Sequence, residues 1–256
     1  RDWSSDVCSS DLGYLPLLVK NGFKGRIVCT AATRDLCEIL LADSGHLQEK
    51  DADFANRHGF SKHHPALPLY TAKDAGKALA RFKPVGFGKT FSVPGGLEAR
   101  FLRAGHILGA AMIELTTPSG KVVFSGDLGR PNDLTMSDPD PVSQADYLIV
   151  ESTYGNRKHD GRSAEDELAA IIGRTAAQKG TVVIPAFAVG RTQSLLAHLY
   201  RLKQARRIPD LPVFLDSPMA IDASNIFCDH PADHKLSAED ACKIFAVDRK
   251  STRLNS

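Results

Sequence analysis

Three short segments of this 256-residue chain carry the residue types that hydrolytic chemistry uses. They are Ala104-Gly105-His106-Ile107-Leu108-Gly109-Ala110-Ala111, Phe124-Ser125-Gly126-Asp127-Leu128-Gly129-Arg130 and Val150-Glu151-Ser152-Thr153-Tyr154-Gly155. Each follows an apolar run that reads as a strand, so a His, an Asp and a Glu stand at successive strand ends. Strand ends are where a scaffold gathers side chains into one site. Histidine and carboxylate are also the ligands of hydrolytic zinc centres. Taken singly, His106 reads more readily as a loop histidine satisfying its own hydrogen bonds, and Asp127 reads equally as a turn former. The pair is more telling. A carboxylate bridging two divalent ions, with a histidine on one of them, suits a two-metal hydrolase in which metal-bound water attacks the substrate.

The elements that must position these residues fall into two styles. Gly13–Lys20 reads as a short helix and Arg26–Cys29 as a strand. Thr33 is placed to cap a helix carrying Leu36, Ile39, Leu40 and Leu41 and running toward Asn56. Gly59–Pro68 reads as a loop and Tyr70–Phe82 as a second amphipathic helix. Four strands follow, at Gly88–Val93, Leu97–Arg103, Ala110–Thr116 and Lys121–Phe124. Pro94-Gly95-Gly96 and Pro118-Ser119-Gly120 turn the chain between neighbours, which makes the stretch antiparallel. Tyr147–Glu151 reads as a buried strand, with Leu148-Ile149-Val150 apolar throughout. Beyond a polar linker near Gly155–Arg162 the pattern becomes βα. Helix Ala164–Gln178 is ended by Gly180, then come strand Thr181–Pro185, helix Arg191–Ala205 and strand Val213–Asp216. That alternation predicts a parallel sheet under helices.

Composition narrows the classes. Hydrophobic residues make up 43% and charged residues 24%, as in an ordinary globular protein. No apolar run is long enough to span a bilayer. A net charge of +2 gives no case by itself for nucleic acid. The five cysteines are odd in number and lack CxxC spacing, which points away from a disulfide scaffold and toward a reducing cytoplasm. Residues 1–12 show neither helical nor strand period, and the polar tail 248–256 cuts off a helix-like pattern. Both read as non-native ends, with natural disordered termini as the alternative, and stand outside the fold argument.

The remaining candidates are weaker. His63 and His64 are adjacent on an extended segment and so point to opposite sides, which disfavours joint chelation. His230 and His234 read as surface residues, His159 as exposed, and His198 as structural within its helix. Arg191 opens a helix after Val189-Gly190. Free first-turn amides beside an Arg make an anion site, with an ordinary surface Arg as the alternative. The glycine pairs Gly105/Gly109 and Gly126/Gly129 lack the partners that nucleotide loops need.

The segments around His106 and Asp127 resemble the third and fourth metal motifs of the metallo-β-lactamase fold, in its β-CASP branch of nucleic-acid hydrolases. Val150–Gly155 resembles that branch's motif A. Pro185-Ala186-Phe187-Ala188-Val189-Gly190-Arg191-Thr192-Gln193 and Leu215-Asp216-Ser217-Pro218-Met219-Ala220 resemble the opening of its inserted domain. The resemblance implies an α/β fold: a partial metallo-β-lactamase αββα sandwich over residues 13–155, with a truncated β-CASP α/β domain over 156–247. It implies that His106 ligates one zinc, that Asp127 bridges two, and that Glu151 orients a general-acid histidine. Arg191, from its own place at a helix start rather than from the resemblance, is the candidate to meet an RNA phosphate. The implied protein is a zinc-dependent ribonuclease (Zn2+, two ions in the intact parent). It would cleave phosphodiester bonds in single-stranded RNA in the cytoplasm, without a membrane, and a homodimer is left open.

The chain departs from that pattern at both ends, and the first strand with its motif-1 Asp is missing as well. A His-x-His-x-Asp-His motif belongs before Gly13, where Cys8-Ser9-Ser10-Asp11-Leu12 stands, and two further histidines belong beyond Val247. The expectation is therefore a fragment with an incomplete ligand set, inactive alone. The alternatives are a non-catalytic β-CASP-like scaffold or RNA-binding subunit, and another hydrolase of the same fold.

Overall fold

Proline at the head of a helix loses nothing, because the first-turn amides have no intrahelical partner. Pro16 accordingly sits in the first turn of α1 (Leu15–Lys20), the first element of the computed structural model, which describes residues 12–158, 161 and 163–245. His159 and the expected non-native ends, Leu12 apart, lie outside the described residues. Strand β1 (Ile27–Cys29) pairs in parallel with β2 (Phe82–Pro84), and helices α2 (Ala31–His58) and α3 (Ala72–Leu79) form the connection. The cap of α2 is Thr30 rather than Thr33. The Thr30 hydroxyl oxygen accepts from the Thr33 amide at 3.2 Å, which leaves Thr33 in the first turn. The expected helix Tyr70–Phe82 is shorter. Thr71 and Asp74 close a reciprocal capping box at its start, and Phe82 is drawn into the pairing with Ile27.

The antiparallel stretch forms as expected. Strands β3 (Thr90–Val93), β4 (Leu97–Arg103), β5 (Ala111–Thr117) and β6 (Gly120–Phe124) follow one another across the sheet, each hairpin placing a strand beside its predecessor. Register runs Phe101↔Ile113 between β4 and β5 and Ile113↔Phe124 between β5 and β6. Strand β7 (Tyr147–Ile149) adds in parallel to β6. The expectation that this strand is buried is corrected: Leu148 is 58% and Ile149 50% exposed. An apolar run signals burial only where other elements cover it. Strand β7 is the sheet's edge, and among the described residues nothing packs over it.

Beyond residue 160 the helices form and the expected strands do not. Helices α4 (Ala164–Ala177), α5 (Arg191–Gln204), α6 (Pro218–Asp229) and α7 (Ala238–Phe245) lie close to expectation where one was made. Thr181–Pro185 and Val213–Asp216 are unpaired extended walls of a groove of about 680 Å³ floored by α4 and α5 side chains such as Ile172 and Leu199. The main apolar cluster joins the two halves. Leu36 and Leu108 from the first meet Leu196, Phe227 and Ile244 from the second. No helix among the described residues is long and apolar enough to cross a membrane.

Candidate functional site

Two glycines set the site. A Cβ on Gly129 would lie 1.8 Å from the Gly105 carbonyl oxygen, so the loops after β4 and β6 touch backbone to backbone. The Gly129 amide donates to the Ala104 carbonyl at 2.8 Å, which stitches the contact. Only a residue without a side chain allows this approach. The contact aims the neighbouring side chains at each other: His106 Nε2 lies 3.9 Å from Asp127 Oδ2, with both side chains partly exposed. The far end of the first loop is held from α2. The hydroxyls of Thr30 and Thr33 both donate to the Gly109 carbonyl, at 2.8 and 3.0 Å.

Glu151 belongs to the same cluster. The Ser125 amide continues the β6–β7 pairing by donating to the Ile149 carbonyl at 2.9 Å. The Glu151 amide donates to Ser125 Oγ at 3.0 Å, and the Leu128 amide donates to Glu151 Oε1 at 2.5 Å. The carboxylate therefore grips the residue beside Asp127. The structure brings all three opening residues together.

A zinc centre takes about four ligands, at least three of them from protein. His106 and Asp127 have the right chemistry and spacing for two of these. Among the described residues no third His, Cys, Asp or Glu completes a metal-binding group. The described residues thus do not by themselves fit a zinc ion.

Arg191 lies on an exposed helix start beside this cluster. A Cβ on Gly190 would stand 2.7 Å from Ile107 Cγ2, so the Val189-Gly190 turn packs against the residue after His106. The expected free amides are not free. The Arg191 amide donates to the Val189 carbonyl at 3.0 Å and the Thr192 amide to the Phe187 carbonyl at 3.3 Å. What holds the turn is Gln193, which sequence reading missed. It is 1% exposed. Its Oε1 accepts from the Gly190 amide at 2.7 Å, and its Nε2 donates to Ala188 O at 3.1 Å and Ser224 Oγ at 3.0 Å. The signal was present: Gln three residues after a helix-capping position is half of a capping box.

A second set of contacts ties α6 and the turn after it to the first half. His230, expected at the surface, is half-buried and its Nε2 lies 2.7 Å from Asp35 Oδ2. His234, also expected at the surface, is 6% exposed and stacks on Phe227 with ring centres 4.4 Å apart. Its backbone pairs with Met136. Burial lowers the His234 pKa, and burial raises that of Asp233 beside it against the pull of His230 and Arg103. His198 is structural as expected, with Nδ1 3.1 Å from Glu165 Oε1.

Comparison with known proteins agrees with this order of parts. The Beta-Casp domain model matches residues 192–255. A ribonuclease of Thermus thermophilus, TTHA0252, is 33% identical over 82% of this chain and 44% of its own length. The transcription termination factor FttA of Methanosarcina mazei is 32% identical over 86% of this chain and 33% of its own. Cleavage and polyadenylation specificity factor 73 of Drosophila melanogaster is 30% identical over 81% and 29%. The chain spans less than half the length of these relatives. With an α/β architecture, a Beta-Casp match over residues 192–255 and similarity along most of its length, the chain is similar to β-CASP proteins of the metallo-β-lactamase fold.

Proposed function

We propose that this chain forms part of a metal-dependent ribonuclease that hydrolyses phosphodiester bonds of single-stranded RNA in the cytoplasm. Residues 13–155 would supply the metallo-β-lactamase part and residues 156–247 part of the β-CASP domain. The observation that carries the reading is the glycine-locked contact of the two loops, which brings His106 to 3.9 Å from Asp127 with Glu151 bonded to the next residue. Neighbouring strands of one sheet bring the ends of β4, β6 and β7 together, and the glycine contact then turns the three motifs into one partly exposed cluster. Two relatives of the chain are named as a ribonuclease and an endoribonuclease.

In this reading His106 and Asp127 are two members of a larger set of zinc ligands, and the metals, two zinc ions in a complete site, come with the remaining ligands. Glu151 acts on this chain by fixing the Asp127 loop through the Leu128 amide. A carboxylate accepts more than one hydrogen bond, so it retains capacity to orient an imidazole as well. Arg191, exposed beside the Ile107 loop, would meet a backbone phosphate of RNA. The test is cleavage of end-labelled single-stranded RNA by a protein of the relatives' full length. Asp127→Ala should abolish it, and retained cleavage removes Asp127 from the site.

A further inference from the structure

The C-terminal end of α2 carries a surface that neither the metal-motif cluster nor the core uses. Phe54 is 49% and Phe60 73% exposed. His58 lies between them, its ring centre 4.1 Å from that of Phe54 and 5.8 Å from that of Phe60, stacked on the latter at 18°. The His58 Nδ1 contacts the Phe54 carbonyl oxygen at 3.0 Å, which holds its ring in place. The loop beyond is clamped to the helix by two bonds between the Asn56 side-chain amide and the backbone of Ala66, at 2.9 and 2.7 Å. Three aromatic rings are thus held in place and open to solvent.

Large exposed rings on a soluble protein ask for a partner, and the charges nearby select it. Residues 57–64 hold Arg57, Lys62 and three histidines and no acid. Both cations are exposed, and Arg57 Nε donates to a backbone carbonyl, that of Asp53, rather than to a carboxylate. Stacking rings beside cations are the combination that holds single-stranded nucleic acid: bases lie on the rings and phosphates meet the charges. Phe and Arg also suit a protein interface, but the added lysine and the histidines favour a polyanion over a protein partner.

We infer that Phe54, His58 and Phe60, with Arg57 and Lys62, form a docking surface for single-stranded RNA separate from the metal-motif cluster. The two are joined by α2. Its N-cap and first turn hold the His106 loop through Gly109, and its last turn with the residue after its C-cap carries the rings, about 40 Å away for a helix of 28 residues. A long strand could engage both ends. The choice of RNA rests on the proposed function, but the binding does not require cleavage.

The experiment is fluorescence anisotropy with a fluorescein-labelled oligouridine of about twelve nucleotides, using the full-length protein with Asp127→Ala so that the probe is not consumed. Phe60→Ala should weaken binding about 5- to 100-fold, while Phe60→Tyr should retain it. Lys62→Ala should flatten the dependence of log affinity on log salt by about 0.7. Unchanged affinity in Phe60→Ala overturns the proposal. So does a wild-type surface that ignores oligouridine and instead drives self-association, seen by sedimentation and lost in Phe60→Ala. Failure of the nuclease reading has a different signature, namely RNA cleavage that survives Asp127→Ala.

Discussion

Residues 90–130 and residues 181–216 carry similar apolar, β-branched runs, yet only the first stretch becomes a sheet. In the first, each strand finds its partner a few residues away through a hairpin, and the pairings from β3 to β6 are all between sequence neighbours. In the second, Thr181–Pro185 and Val213–Asp216 are separated by a helix and remain unpaired on a shared groove. Antiparallel hairpins close on themselves, whereas parallel strands need crossovers and depend on a whole set of neighbours. The two regions are also held differently. Backbone contact between glycines locks the first, and one buried side chain, Gln193, locks the start of the second.

Three substitutions probe that contrast. Gly129→Ala should have the largest effect, because its Cβ would overlap the Gly105 carbonyl at 1.8 Å and both partners are backbone. A loss of about 4 kcal/mol or more, beyond the usual range for one residue, should appear in denaturant unfolding. A loss below about 1 kcal/mol would show that the loops can part, and the first region would no longer count as the rigid one. Gln193→Ala removes a partner of the half-buried Gly190 amide, of the Ala188 carbonyl and of the buried Ser224 hydroxyl, at a cost of about 2 kcal/mol. Amide hydrogen exchange should place the loss at residues 187–193 and leave the hairpin strands protected. Gly173→Ala should have the smallest effect and the opposite sign. Gly173 lies inside α4 with open space around its Cα, so alanine should add about 0.5–1 kcal/mol and raise Tm by about 2 °C.

How far the sequence could be read follows the same division. The strand Leu97–Arg103 is found at the limits its alternation and turns indicate, because a hairpin is local information. Thr30 rather than Thr33 caps α2, an offset that hydroxyl preference cannot resolve when both residues qualify and both also bond to Gly109. His234 was read as a surface residue from its polar neighbours. Stacking on Phe227 and a bridge to Met136, nearly a hundred residues earlier, decide its burial, and neither is visible in local pattern. Tyr147–Glu151 reads as a buried strand because apolar runs usually are, but coverage belongs to the fold and not to the run. In the site, His106, Asp127 and Glu151 were legible as strand-end residues. The means by which they meet was not.

Residue type and spacing alone determined the chemistry on offer: one imidazole and two carboxylates at loop positions, an arginine at a helix start, and an order of motifs that resembles a known family. Hairpin turns and helix caps were determined the same way, since they depend on residues within a few positions of each other. Tertiary structure decided what touches what. It set Gly129 on Gly105 to bring His106 toward Asp127, turned Glu151 onto the Leu128 amide, and seated Gly190 against Ile107. It also left the rings at the end of α2 open to solvent. The physical reason is range. Propensity and capping act over one turn or one hairpin, whereas close packing is a property of surfaces brought together from distant parts of the chain.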